Sequence, residues 1–164
     1  MLKRGFDPVV DANTRLLILG SLPGDASLKA GQYYGHPQNA FWRLVGGVIG
    51  CDLAVLTYAD RLEALTAAGV GLWDVIAEAR RPGSLDQAIR GVETADLRAL
   101  IDTLPNLEAI AFNGATAAKL GRRTLADVDQ ATLIDLPSSS PAHTLSFAAK
   151  AERWSVLGRW IADT

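Results

Sequence analysis

Four short apolar runs punctuate the chain: RLLIL at Arg15–Leu19, VGLWDV at Val70–Val75, LEAIAF at Leu107–Phe112 and TLIDL at Thr132–Leu136. Each has strand length and is apolar through most of it, the pattern of strands covered on both faces. Between them the apolar positions switch to helical spacing. Asn39–Ile49 puts Phe41, Trp42, Val45 and Ile49 near one face, and Tyr58–Ala67 predicts a second helix. Thr94–Leu104 opens with Thr94 as a cap and carries Leu97, Leu100, Ile101 and Leu104 at helical intervals. Ala115–Leu120 predicts a short helix, and Ser146–Ala162, with Phe147, Trp154, Leu157 and Ile161, predicts the helix that closes the domain. Strands alternating with helices imply an α/β sandwich around a parallel sheet. Trp73, Trp154 and Trp160 fall on strand or helix faces and read as core.

In such sheets ligands bind beyond the carboxyl ends of the strands. The unusual residues of this chain fall there, in three stretches: GSLPGDASLKAGQYYGHPQN after the first strand, NGAT after the third and PSSSPAH after the fourth. The first, Gly20–Asn39, is long for a strand-to-helix connection, and long loops inside compact domains are usually functional. Gly20, Pro23 and Gly24 allow a tight turn that brings backbone amides to a ligand. Tyr33 and Tyr34 offer flat apolar faces, and His36 and Asn39 offer hydrogen bonds. A surface loop whose tyrosines cover the core edge is the plainer alternative.

Asn113 follows the third run directly. It fits a cap for the next helix. Pointed outward, its carboxamide can also read a base edge that presents an N–H beside a carbonyl, as uracil and hypoxanthine do. The serines of Pro137–His143 fit a polar turn, and equally a neutral grip on phosphate oxygens through hydroxyl and backbone N–H groups.

Composition narrows the picture. The 164 residues suit one domain spanning 1–164, and 49% hydrophobic with 21% charged residues is too apolar for disorder. No apolar run reaches membrane-spanning length, and MLKRGFDPVV lacks the apolar stretch of an export signal. A single cysteine, Cys51, excludes an internal disulfide and a cysteine-held cluster, and a cytoplasmic setting is expected. Cys51 itself reads as a small residue at a helix end. The net charge of −2 argues against a strongly basic nucleic-acid coat protein but leaves room for a local basic rim, for which Lys29, Arg80, Arg81, Arg122 and Arg123 are the candidates. Neither His36 nor His143 has a partner at metal-ligand spacing, so no metal is expected.

Taken in order, GSLPGDASLKAGQYYGHPQNAFW, GVGLWDV, SLDQAIR, AFNGATAAKL and LPSSSPAH resemble the uracil-DNA glycosylase superfamily, with the hypoxanthine-DNA (deoxyinosine) glycosylases as the nearest branch and the mismatch-specific uracil/thymine glycosylases beside it. The resemblance covers most of the chain. It implies a three-layer α/β/α sandwich with a four-stranded parallel sheet, and a monofunctional DNA glycosylase that flips a deaminated base out of the duplex. It implies that Tyr34 stacks on the flipped base, with Asn113, Gly20, Ser21 and Leu22 at the base pocket. Ser138, Ser139, Ser140, Ala142 and His143 correspond to the loop that grips the DNA and fills the vacated space. The partner implied is double-stranded DNA carrying deaminated or mispaired bases, with no cofactor, no metal and no membrane, and a monomer is expected.

Two departures from the neighbouring branches matter. The mismatch-specific relatives have G-I-N-P-G where this chain has Gly20-Ser21-Leu22-Pro23-Gly24, and leucine cannot orient water. In the hypoxanthine branch the Asn of G-H-P-x-N-x-F-W is the catalytic candidate, and here that is Asn39, with Phe41 and Trp42 packing beside it. This weakens the case for general uracil excision. The thymine branch has Arg where this chain has Ala142, leaving His143 or Thr144 to share the wedge's work.

Chemically, N-glycosidic cleavage passes through an oxocarbenium-like sugar while the base leaves with negative charge. With no carboxylate but Asp25 in the first loop, positioning and electrostatics are expected to carry the reaction. Asn39 would hold a water near C1′, and amides of the Gly20–Gly24 turn would meet charge on the base. His143 would either donate to the departing base or contact a phosphate. Two other readings stand beside this one. Gly24-Asp25-Ala26-Ser27-Leu28 faintly echoes the G-D-S-L esterases, with Ser27 as nucleophile. A nucleic-acid-binding module of the same fold without catalysis is the non-enzyme alternative.

Overall fold

The computed structural model describes residues 2–81, 84 and 89–161. Its elements in chain order are β1 (Leu2–Arg4), β2 (Leu16–Gly20), α1 (Asp25–Ala30), α2 (Phe41–Ile49), α3 (Tyr58–Ala67), β3 (Val70–Asp74), β4 (Ile76–Arg80), β5 (Arg90–Thr94), α4 (Leu97–Asp102), β6 (Ala109–Asn113), α5 (Ala115–Thr124), β7 (Thr132–Leu136) and α6 (Phe147–Trp154). Short 3₁₀ turns occupy Leu53–Val55 and Ser155–Trp160.

The four apolar runs form one parallel sheet in the order β3-β2-β6-β7. Side chains alternate across a strand, and β2 shows the consequence. Leu16 and Ile18 join a core with Phe41, Leu44, Val45, Leu65 and Trp154 from α2, α3 and α6. Leu17 and Leu19 join a second core with Leu97, Ile101, Ala117 and Ala118 from α4 and α5. The sheet is therefore the middle of three layers, as the sequence pattern and the resemblance imply. Trp154 is fully buried, while Trp73 and Trp160 pack against the two cores from partly buried positions.

A second, three-stranded antiparallel sheet, β1-β4-β5, lies outside the predicted set. The run expected through Val75 ends at Asp74: Val75 donates to Gly20 and Ile76 to Ser21, which turns the chain from β3 into β4. Thr94 is the last residue of β5 and not a cap; Asp96 caps α4 by accepting from the Ala99 N–H at 3.1 Å. The first loop contains a short helix, α1. Helix α2 begins at Phe41, two residues after the expected start, because Asn39 stands ahead of it and accepts from the Phe41 N–H. Helix α5 runs on to Thr124, beyond the expected Leu120. The closing helix is α-helical only to Trp154 and continues as 3₁₀ turns to Trp160; its expected end, Ala162, lies outside the described residues. So do positions 85–88 of the SLDQAIR motif.

Candidate active site

Beyond the carboxyl ends of β2, β3, β6 and β7 lies a cavity of about 420 Å³. All eleven residues assigned to a site from sequence line it: Gly20, Ser21, Leu22, Tyr34, Asn39, Asn113, Ser138, Ser139, Ser140, Ala142 and His143.

The turn after β2 is organised by its carbonyls. Gly20 and Ser21 accept from Val75 and Ile76, Leu22 and Pro23 from the Arg81 guanidinium, and Gly24 from Leu28. In a trans peptide the following N–H points opposite the carbonyl. The N–H groups of Ser21, Leu22 and Gly24 are thus directed away from these partners, as a turn that meets anionic ligands requires. Arg81 is 0% exposed, so it is a buried anchor of this turn and not part of the basic rim expected from sequence.

The two tyrosines diverge. Tyr33 is core: its hydroxyl donates to the Asp7 carbonyl at 2.8 Å and its ring meets Phe6 edge-on. Burial, with the negative charge of Asp74 adding, pushes its phenol well above the ordinary tyrosine range. Tyr34 is the one non-glycine residue with positive φ among those described, at 53°. That conformation is held by the Phe41 ring stacked on it at 3.8 Å and by the Trp42 indole, which donates to the Tyr34 carbonyl at 3.2 Å. Its hydroxyl reaches over Gly20, where an added Cβ would fall 2.9 Å from it and 2.6 Å from Asp74 Oδ1. A larger residue there would force the Tyr34 hydroxyl or the Asp74 carboxylate to move.

Asn39 is half-buried, and its Oδ1 accepts from the Phe41 N–H at 2.9 Å. That bond fixes the carboxamide and leaves a second lone pair on the oxygen. Asn113 is the last residue of β6, not the residue after it. Its Oδ1 accepts from the Ser139 N–H at 2.9 Å and its Nδ2 donates to Ser139 Oγ at 2.9 Å. A backbone N–H can only donate, so the carboxamide has one possible orientation. One N–H and one lone pair of Asn113 remain for a ligand.

The loop 137–143 is fastened from several sides. Ala40 donates to the Ser139 carbonyl, Trp154 to the Pro137 carbonyl and the Lys150 ammonium to the Ser140 carbonyl. Burial pulls the Lys150 ammonium below the usual lysine range. The N–H groups of Ser139, Ser140, Ala142 and His143 are all spent on Asn113, Ser138 or Ser140. Outward grip therefore falls to the hydroxyl hydrogens of Ser138 and Ser140, with Ala142 and His143 exposed at the rim. Ser139, at 1% exposure, sits beneath them.

Ser27 is buried, and its hydroxyl accepts from the Gly35 N–H, while His36 Nδ1 accepts from the Gln38 N–H. Neither bond joins a serine to a histidine base, and the esterase reading gains no support. No group of three or more His, Cys, Asp or Glu is placed to hold a metal among the described residues. The roles of Arg81, of Lys150 and above all of Asp74, a buried carboxylate in the cavity wall, escape a reading of the sequence. The signal for Asp74 is one acidic residue at the carboxyl end of an otherwise apolar strand.

Residues 8–161 match the family described as the uracil DNA glycosylase superfamily. A protein named hypoxanthine DNA glycosylase from Methanosarcina barkeri is 44% identical over 155 residues, which cover 94% of this chain and 97% of that one. One of the same name from Methanosarcina acetivorans is 42% identical over 159 residues, covering 97% and 99%. The solution NMR structure of a candidate uracil DNA glycosylase from M. acetivorans superposes with a TM-score of 0.85 at 40% identity, over 97% of this chain and 98% of that chain. A three-layer sheet with its cavity at the strand ends, a matching family and relatives of near-equal length agree: this chain belongs to the uracil DNA glycosylase superfamily.

Proposed function

We propose that this protein is a monofunctional DNA glycosylase that flips hypoxanthine out of duplex DNA and hydrolyses its N-glycosidic bond, leaving an abasic site. The observation that carries the reading is the locked carboxamide of Asn113 facing a cavity shared with Asn39 and Tyr34. A free amide can flip and accept adenine's edge as well as hypoxanthine's. One locked by Ser139 offers its donor and acceptor in a single order, as selection of one class of base edge requires. The names of the Methanosarcina relatives support hypoxanthine as that class.

Asn39 is the residue that positions water. Its oxygen, held by the Phe41 N–H, accepts a hydrogen bond from the water and turns the water's lone pair toward C1′. Turn amides of Ser21, Leu22 and Gly24 stabilise charge on the departing base. Tyr34, backed by Phe41, supplies the stacking face. The hydroxyls of Ser138 and Ser140 hold phosphate oxygens. Mispaired deoxyinosine is easily extruded, so flipping is the first step of selection.

The test is a panel of duplexes carrying hypoxanthine, uracil, xanthine or mismatched thymine, read as alkali-labile strand breaks without metal or cofactor. Hypoxanthine should be cut, and Asn39→Ala should lower its rate by about 100-fold or more with the fold retained. Binding of deoxyinosine duplex with no abasic product would instead make the protein a binding module.

A further inference from the structure

Gly20 and Asp74 are paired across β2 and β3, and Asn113 lies on the other side of Gly20, one position beyond the Leu19–Phe112 pair of β2 and β6. The carboxyl edge of the sheet therefore ends in a row: a carboxylate, a bare glycine and a carboxamide. Adjacent strands lie about 4.8 Å apart, so the two polar residues flank a gap roughly 10 Å wide between their α-carbons. Gly20 supplies no side chain to fill it, and all three residues line the cavity. Asp74 Oδ1 leans over Gly20 beside the Tyr34 hydroxyl, as the 2.6 and 2.9 Å approaches to the same Cβ position show. Asn113 is the reader of this row that sequence makes visible; a second one faces it.

We propose that Asp74 is a specificity-determining residue of the base pocket: its carboxylate, across Gly20 from Asn113, accepts the lactam N–H of a neutral flipped base, leaving the locked Asn113 N–H to the neighbouring carbonyl, and repels bases that carry negative charge. The proposal rests on the glycosylase reading above and names how that site ranks its substrates. A carboxylate only accepts, so the N1–H of hypoxanthine suits it and the N1 lone pair of adenine does not. Xanthine carries a second carbonyl and is the most acidic of the deaminated bases, so it meets Asp74 as a partly anionic ligand against a like charge. Guanine shares the N1–H, but its intact pair with cytosine resists extrusion. The arrangement has a cost in rate. The base gains negative charge as it leaves, so a carboxylate at its edge opposes the step that an oxyanion-stabilising group would assist. Asp74 serves selection at the expense of turnover.

The isosteric Asp74→Asn variant removes the charge. The readout is the ratio of kcat/KM on deoxyinosine to that on deoxyxanthosine, both in single-lesion duplexes. The ratio should fall about tenfold or more in the variant, chiefly through a gain on xanthine. A ratio unchanged within twofold overturns the proposal, as does an equal loss of 100-fold or more on every lesion, which would put the carboxylate beside the sugar cation. Inhibition of the wild type and the variant by the free bases gives a second measurement that needs no turnover. Hypoxanthine should bind the wild type more tightly than xanthine, and the variant should narrow the gap; an equal gap in both overturns the assignment. A wild type that excises hypoxanthine with an unmoved ratio refutes Asp74 alone. A wild type that excises nothing refutes the glycosylase reading, and the free-base arm then decides Asp74.

Discussion

Asn113 holds Ser139 at two points, its Oδ1 accepting from the Ser139 N–H and its Nδ2 donating to the Ser139 hydroxyl, each at 2.9 Å. The pair joins the end of β6 to the loop after β7, and both residues are buried. Asn113→Ala should cost about 2–3 kcal/mol of stability, because it strands a buried N–H. Ser139→Ala, which keeps the N–H bond and leaves one amide hydrogen seeking a partner, should cost about 1 kcal/mol. Urea midpoints at constant slope measure both; equal costs would contradict the two-point arrangement.

Gly20→Ala should be far more damaging than an exposed glycine-to-alanine change. Its methyl carbon would stand 2.6 Å from Asp74 Oδ1 and 2.9 Å from the Tyr34 hydroxyl, so the tyrosine or the carboxylate must move. We expect a stability loss of about 1–3 kcal/mol. Excision of hypoxanthine should fall by about 100-fold. Single-turnover rates beside a thermal melt give both numbers, and a fully active variant would mean that the pocket floor yields freely.

Arg81 acts on the site from beneath it. Replacing it by Met leaves the Leu22 and Pro23 carbonyls without their donor and should cost about 2–3 kcal/mol. Arg81→Lys keeps the charge but loses the forked geometry, and should recover only part of the stability. Chemical denaturation of the three proteins orders them. Lysine matching arginine would show that charge alone, and not the reach to two carbonyls, holds the turn.

Two tyrosines, buried Tyr33 and half-buried Tyr58, predict an alkaline limit. Burial raises the phenols of Tyr33 and Tyr58 above their unfolded value, so the folded state keeps protons that the unfolded state has lost. Their contribution is complete below about pH 10 and declines above it, by up to about 1.4 kcal/mol per pH unit for buried Tyr33 and by less for Tyr58, which solvent reaches. Tyr33→Phe should flatten that decline. Stability measured from about pH 9 to 11.5, a range that brackets the ordinary tyrosine value, tests it. An unchanged slope in the variant would remove Tyr33 from the account.

The central sheet was legible because its strands are covered on both faces and so read as unbroken apolar runs. The small sheet was not. Every residue of β5 is exposed, and RGVET carries no alternation to mark a strand. Helix α1 escaped notice because six residues of DASLKA hold too few turns for a period to show. The site residues stood out for another reason: Gly, Asn, Ser and Tyr at strand ends are conspicuous against an apolar chain. Asp74 was hidden by the same contrast, read as part of its strand. The lock on Asn113 joins residues 26 apart and the Arg81 anchor spans 58 and 59, and no local pattern announces such pairings.

The Ser139 peptide is grasped from both directions, its N–H by Asn113 and its carbonyl by the Ala40 N–H, next in sequence to Asn39. On the proposed roles, the residue that recognises and the residue that aims solvent thus hang from one hinge pin. With those roles, a poorly fitting lesion that pushed on either would transmit its misalignment to the other, so recognition and hydrolysis would fail together and normal DNA would be spared at both stages by a single displacement.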